Sequence, residues 1–455
     1  MRTKNDMLAS DSDDSADADN LLARLNRSGD TWTSKAPASM SGDIVASDGL
    51  YSHRDIGLSE YLAGRWLRDR MARELDWEGE YDGSGTLTES QGHAATLVCS
   101  QPVSVLTGGP GTGKTTTLRT VVEILSHRYA PGEILLCAPT GAAAKRMAMS
   151  TGRFASTIHR LLGFTGEAFT VFRLPCEVCI IDESSMLDAN LLYALLSRLP
   201  ETCRVIFVGD ADQLPSVGPG NVLQDLVESV PTARLTELMR SDPDGPIGMA
   251  CNDILQGITP ESWSGTVKDL RHDPRGFIMR PGHEQVNETV QQMSQLLGVP
   301  IYSIRNMCPF NDECNILNES MPKIGIKVPI VNRKNRKGRS GQFTMNGEVG
   351  FSYSVNGIVR FDSDTMWRDQ YMHLAYWTTV HVMQGNESVC GVVYIPDRGE
   401  KFLTRRLLYT AVSRYKQVCV VKGSIENFCA GVFRQESRRV TLLPEFIKRS
   451  RAIEV

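Results

Sequence analysis

The chain has no apolar run long enough to cross a bilayer, so no membrane-spanning helix is expected. Its first residues, Met1-Arg2-Thr3-Lys4-Asn5-Asp6, lead into acidic residues and not into the apolar core of a secretory leader. A cysteine framework is also missing. Eleven cysteines lie scattered, and an odd number without a pattern fits reduced thiols in an intracellular compartment. Cys176 and Cys179 form a lone C-x-x-C with no second pair at metal spacing, and read as residues leading into a buried strand. Strong charge of either sign is lacking: the net charge of −4 advertises no basic face for nucleic acid. A motor can nonetheless hold nucleic acid in a local groove. No short-period repeat or long low-complexity tract occurs. What remains, 455 residues with 41% hydrophobic and 22% charged, is the composition of a soluble protein of two or three domains.

Residues 1–42 are poor in apolar side chains and rich in Asp and Ser, which predicts a disordered acidic tail whose loss would spare the rest. Residues 43–85 include Leu58-Ser59-Glu60-Tyr61-Leu62-Ala63-Gly64-Arg65-Trp66-Leu67, spaced for a helix in a small N-terminal element. Beyond Leu87, apolar runs at Val103–Leu106, Ile134–Cys137, Val178–Ile181 and Val205–Val208 alternate with helical stretches. That alternation predicts an α/β fold, a parallel sheet with helices on both faces. Residues 86–231 form the expected first domain, and the pattern restarts at 232 for a second one running to 455.

Chemistry enters with Gly108-Gly109-Pro110-Gly111-Thr112-Gly113-Lys114-Thr115, followed by Thr116. A buried strand precedes this glycine-rich loop and a helix follows it, as a phosphate-binding loop requires. Glycines let backbone N–H groups wrap phosphates at a helix N-terminus. Lys114 would reach the β- and γ-phosphates of ATP, and Thr115 would ligate Mg²⁺. A second strand ends in Asp182-Glu183. Asp182 would hold Mg²⁺ through water, and Glu183 would orient or activate the attacking water. A third strand delivers Asp210 and Gln213 to the same sheet edge, where a glutamine can sense the γ-phosphate.

In this order, the phosphate loop, Asp-Glu-Ser-Ser-Met and Gly-Asp-Ala-Asp-Gln-Leu-Pro-Ser-Val-Gly resemble a superfamily 1 helicase. The stretch from Gly209 to Leu226 most resembles the RecD-like branch, with the phage Dda helicases more distant. The resemblance covers roughly residues 87–425. It implies two RecA-like motor domains, with a β-hairpin pin at about 163–175 and a small SH3-like β insertion at about 333–371. It also implies residue roles. Gln91 would read the adenine. Pro139 and Thr140, then Thr157 and His159, would grip single-stranded DNA. Arg240 would contact the γ-phosphate. Thr379 and His381 would contact DNA, Gly385 the nucleotide, and Arg414 would be the arginine finger. Phe164 in the pin could meet a base, or it could pack the hairpin down; His159 and His381 could equally be satisfied core histidines. Two segments depart from the family pattern: Val382 and Met383 replace a lysine and a small residue, and Ser241 follows Arg240. The basic run from Asn332 to Arg339 could contact phosphates, act as a nuclear import signal or be a solvated loop.

The implied function is an ATP-dependent DNA helicase that moves 5′ to 3′ on single-stranded DNA and opens forks in replication, recombination or repair. Its expected partners are single-stranded DNA, a fork, and replication or recombination proteins, with no membrane. It would be cytoplasmic in a bacterium or for a phage, and nuclear in a eukaryote or for a nuclear virus. A viral-type RNA helicase and an ATP-switch subunit that does not unwind are the alternatives.

Overall fold

Central strands of a parallel sheet are covered on both faces, and their sequences are correspondingly apolar throughout. Two such sheets organise the computed structural model. It describes residues 18–37, 42–83, 85–237, 245–262, 270, 273, 275–321, 327–334, 336–341, 343–344, 347–353, 357–361, 364–449 and 453.

A short antiparallel hairpin of β1 (Ile44–Ser47) and β2 (Leu50–His53) comes first. Its two-residue turn, Asp48-Gly49, has φ of 48° and 76°, the positive pair that a tight hairpin turn needs. The first large sheet contains β3 (Val103–Gly108), β4 (Ile134–Ala138), β5 (Ala155–Thr157), β6 (Val178–Ile181), β7 (Arg204–Gly209) and β8 (Thr232–Leu235). The order is β5-β4-β6-β7-β3-β8, and each pairing is parallel. Successive residues face opposite sides. Val105, Ile181 and Phe207 therefore enter one core, while Leu106, Ile180 and Ile206 enter another.

The second sheet takes β9 (Gly276–Pro281), β10 (Asn306–Cys308), β18 (Trp377–Thr379), β19 (Ser388–Ile395) and β20 (Tyr415–Gly423), in the order β18-β10-β19-β20-β9. All of its pairings are parallel. Between β10 and β18 lies a five-stranded antiparallel insertion. It comprises β11 (Val328–Asn332), β14 (Val349–Ser352), β15 (Ile358–Arg360), β16 (Thr365–Trp367) and β17 (Met372–Leu374), with a ribbon of β12 (Arg336–Lys337) and β13 (Phe343–Thr344). The insertion has its own core of Ile330, Val359, Phe361, Met366 and Met372.

Three expected boundaries need correction. β8 pairs with β3, so the first sheet extends past residue 232 to Leu235. The insertion runs from Val328 to Leu374, wider than 333–371; its first and last strands, β11 and β17, carry no glycine to mark them. Residues 18–37 do not form a disordered tail. Residues 18–28 are helical, with Ala18, Leu21 and Leu25 buried against Ile44 and Ile56. Trp32 is fully buried against Val45, Leu442 and Phe446. Composition averages hide this layer, since a few apolar residues at helical spacing are enough to anchor it. Deleting residues 1–40 would therefore remove a packed layer; residues 1–17 and 38–41 of the expected tail lie outside the described residues. Cys176 and Cys179 part company: Cys176 Sγ lies 3.8 Å from Cys203 Sγ, and Cys179 Sγ 4.0 Å from Cys137 Sγ.

One buried carboxylate ties this N-terminal layer to the rest. Glu60, on the helix Arg54–Met71, accepts from Trp32 Nε1 at 2.6 Å, from Thr31 Oγ1 at 2.9 Å and from the Leu442 amide at 3.0 Å. Burial lifts its carboxyl from 4.5 to about 7 despite those donors, and Glu445 adds a smaller push. The folded state then holds this proton more tightly than the unfolded chain does. The resulting stability is full below about pH 4.5 and declines as pH rises to about 7, by on the order of 3 kcal/mol. Denaturation midpoints should fall over that window in the wild type. Glu60→Gln should lose that part of the slope, and an unchanged slope would reject the assignment.

Candidate functional site

β3 runs straight into the phosphate loop, and the helix Lys114–Leu125 starts on it. Gly111 and Gly113 take φ of 80° and 85°, where a side chain is strained. Gly113 is the N-cap and offers no side chain, which leaves the first helical N–H groups free of a side-chain cap. Lys114 Nζ donates to the carbonyls of Gly108 at 2.5 Å and Gly109 at 2.8 Å, so its ammonium sits at the loop mouth. Thr112 Oγ1 donates to Gly109 O at 2.9 Å. Gln91 donates from Nε2 to Thr112 O at 3.2 Å and closes a capping box with Thr88. It therefore braces the loop from behind. Pro110 and Thr116 are half-buried, and Thr115 is exposed at the helix start.

β6 leads directly into Asp182, whose carboxyl is lifted to about 6, chiefly by burial and next by Glu183, while Arg146 and Lys114 pull it down. Glu183 adopts φ 53° and ψ 41°, a left-handed conformation costing a non-glycine residue roughly 1 kcal/mol or more. Its Oε1 accepts from Arg146 Nη2 at 2.5 Å. β7, which separates β6 from β3, delivers Asp210, and Gln213 Nε2 donates to its Oδ2 at 2.9 Å. The same Oδ2 accepts from Tyr409 Oη at 2.8 Å, across from the second sheet's side. A Cβ placed on Gly109 would lie 3.2 Å from that hydroxyl. Two more bonds cross here: the Leu214 amide donates to Thr410 Oγ1 at 2.9 Å, and Gln384 Nε2 donates to Leu214 O at 2.9 Å.

A family profile described as an AAA domain matches residues 91–219, from the Gln91 brace to beyond Gln213. The RecBCD enzyme subunit RecD of Mycobacterium tuberculosis is 41% identical over 423 residues, covering 77% of this chain and 72% of that protein. The chain belongs to the RecD-like superfamily 1 helicases. The ATP-dependent RecD2 DNA helicase of Deinococcus radiodurans is 32% identical over 396 residues, which is 82% of this chain but 54% of that relative. The ATP-dependent DNA helicase Dda of phage T4 is 34% identical over 211 residues, 42% of this chain and 46% of the phage protein.

In this RecD-like chain Arg414 stands just before β20 of the second sheet, beside Glu387. Arg414 is 4% exposed, its Nη1 donates to Asn386 O at 3.4 Å, and its buried Nε has no hydrogen-bond partner. Arg240 and Ser241 lie outside the described residues. Gly385 rests against Thr140 and Met186, not against the phosphate loop: a Cβ there would be 2.9 Å from Thr140 Oγ1 and 3.7 Å from Met186 Sδ. Where Val382 and Met383 depart from the RecD-like pattern, Met383 is buried in the second domain's core and Val382 is half-buried.

The proposed DNA side starts at Pro139 and Thr140. Thr140 caps the helix Gly141–Thr151, and Thr157 caps Ile158–Leu161. His159 is wedged between Phe164 and Phe169, with ring centroids 5.2 and 5.9 Å away. Its Nδ1 is buried without a partner, and burial lowers its pKa. The expected pin is a small turn with a single bridge, Phe164↔Phe169, and no regular strand. Phe164 thus packs inward, whereas Phe172 is 91% exposed. Thr379 is buried at the end of β18. Burial also lowers the pKa of His381, which lines a cleft of about 740 Å³ together with Leu214, Phe402, Arg406 and Arg439. The basic run is not a free loop. Lys334 and Arg336 lie over Tyr371, and Arg339 over Trp367.

Sequence reasoning missed Tyr409 and Arg146. Tyr409 lies inside a stretch that resembles a family motif and Arg146 one residue beyond another, and only contacts made across the fold distinguish them from surface or core positions.

Proposed function

We propose that this chain is an ATP-driven motor that moves 5′ to 3′ along single-stranded DNA and opens duplex ahead of it. One observation carries the reading. Tyr409, on the helix Arg405–Val412 of the second domain, meets the ends of β3 and β7 beside the phosphate loop, through the Tyr409–Asp210–Gln213 hydrogen bonds and its approach to Gly109. A nucleotide held there would bear on both domains at once. Lys114 would hold the β- and γ-phosphates, with backbone N–H groups from Gly108 to Thr116 around them. The Thr115 hydroxyl and the Asp182 carboxylate are hard oxygen donors that suit Mg²⁺. Bound Mg²⁺ would neutralise phosphate charge. Water would attack the γ-phosphorus as its proton passes to Glu183, the bridging bond would break, and ADP and phosphate would leave. Gln213, Arg414 and, on its motif alone, Arg240 would sense and stabilise the γ-phosphate charge. Gln91 would steady the loop near the adenine.

Thr140, Thr157 and Thr379 offer hydroxyls and helix-start amides, contacts that suit phosphates without reading sequence. Polarity is supported by the family. Relatives named as RecBCD subunits support recombination or repair proteins as partners.

The test is ATP hydrolysis with no polymer, with single-stranded DNA and with single-stranded RNA, then unwinding of 5′-tailed and 3′-tailed duplexes. Stimulation by DNA with dependence on a 5′ tail is expected. Stimulation by RNA alone would move the chain to the RNA helicases. No stimulation by either polymer would make it a partner-dependent subunit.

A further inference from the structure

We propose that Arg146 is a positioning residue that couples the nucleic-acid grip to ATP hydrolysis by moving between two carboxylates. The inference rests on the motor reading above and concerns how that motor is switched. Arg146 stands on the helix Gly141–Thr151, six residues after its N-cap Thr140. Its Nη2 lies 2.5 Å from Glu183 Oε1, and its Nη1 lies 4.0 Å from Glu387 Oε1. Glu183 belongs to the first sheet and Glu387 to the segment that enters β19 of the second. A single guanidinium thus lies between acids of the two domains, closer to the first.

Both acids are otherwise defined. Glu183 has a side chain only 13% exposed, on backbone whose left-handed conformation fixes its direction. Glu387 gives its other oxygen to Lys416 Nζ at 2.6 Å, and Arg414 also acts on it. The segment from Gly385 to Glu387 touches the grip helix twice, at Thr140 through Gly385 and at Arg146 through Glu387. Six helical residues span about 9 Å. Any shift of that segment relative to the helix therefore changes both contacts together.

An oxygen occupied by a guanidinium is not available to a water molecule. With Arg146 on Glu183, the carboxylate that would receive the water's proton is partly occupied. With Arg146 drawn to Glu387, Glu183 is released. Nucleic acid held at Thr140, between this helix and the second domain, would favour the second arrangement. Hydrolysis would then be slow without polymer and fast with it. A two-position side chain biased from two sites is a physical coupling element, and not merely a residue lying between them.

The experiment uses the full chain and compares ATP turnover with and without single-stranded DNA for wild type, Arg146→Ala, Arg146→Lys and Glu387→Gln. Couplings between sites typically run about 5–150-fold. Arg146→Ala should raise the polymer-free rate and cut the stimulation ratio by about tenfold. Arg146→Lys keeps a charge and should restore part of the ratio. Glu387→Gln should lower the DNA-stimulated rate, because Arg146 then faces full charges only on the first domain, Glu183 and Asp182, and stays on Glu183. If Arg146→Ala unfolds, as seen in its thermal melt, Arg146→Gln and Glu387→Gln provide the same readout. The proposal is overturned if the Arg146 variants lower both rates in proportion and leave the ratio at its wild-type value. A wild-type chain whose hydrolysis ignores polymer would sink the motor reading itself, and the coupling with it.

Discussion

Glu183→Gln should bind ATP as tightly as wild type and hydrolyse it about 10²–10⁴-fold more slowly, the range in which general bases contribute. Glutamine matches the shape of glutamate and keeps an oxygen to accept from Arg146, so the left-handed turn at φ 53° and the packing around it stay in place. What it loses is the ability to take up a proton. Neighbouring Asp182 cannot substitute, because its Oδ1 accepts from the Glu183 amide at 2.9 Å and its carboxyl is the proposed Mg²⁺ ligand. Single-turnover hydrolysis and binding of a fluorescent ATP analogue separate the two effects. A rate within about threefold of wild type would remove Glu183 as the base.

Arg414→Ala should lower turnover by about 10³-fold, at the low end of what arginine fingers supply, while nucleotide still binds. A guanidinium 4% exposed, beside Glu387 and with a buried Nε that has no hydrogen-bond partner among the described residues, keeps donors free for a phosphate. Its side-chain hydrogen bond to Asn386 O at 3.4 Å is long, and it leaves most of the planar fork uncommitted. Arg414→Lys should recover little, since an ammonium cannot present two parallel donors to a phosphate. Turnover at wild-type level in Arg414→Ala, with the same melting temperature, would remove it as the finger.

The chemical half of the molecule was legible in the sequence because its strands are central. Val103–Gly108, Val178–Ile181 and Arg204–Gly209 are buried along their whole length, and mostly apolar runs mark them. The glycine, carboxylate and glutamine positions follow directly at their ends. β8 was less legible: Thr232–Leu235 is an edge strand with two residues half-exposed or exposed, and its pattern looks like a new beginning. The layer formed by residues 18–37 was not legible at all. Trp32 and Thr31 find their partners at Glu60, Val440 and Leu442, and no local window contains both ends of such a contact. Phe164, Phe169 and Phe172 show the same limit on a small scale. Three phenylalanines in nine residues suggest an aromatic tip, yet two of them close around His159 and only Phe172 faces solvent.

The course of the C-terminal segment has a mechanical consequence. After β20 and the helix Ile425–Phe433, Arg439 donates to the carbonyls of Ser216, Gly218 and Gly220, and Val440 O accepts from the Thr31 and Trp32 amides. Leu443 and Ile447 then enter the first domain's own core beside Ala63 and Leu67. The backbone therefore passes between the two sheets twice, once outward after β8 and once back before Leu443. A body attached to another by one flexible strand can swivel about any axis. Attached at two separated points, it retains only rotation about the line through them. Each ATP cycle would then open and shut the cleft along one fixed arc, so a small change at the nucleotide is delivered as a displacement of constant direction along the track.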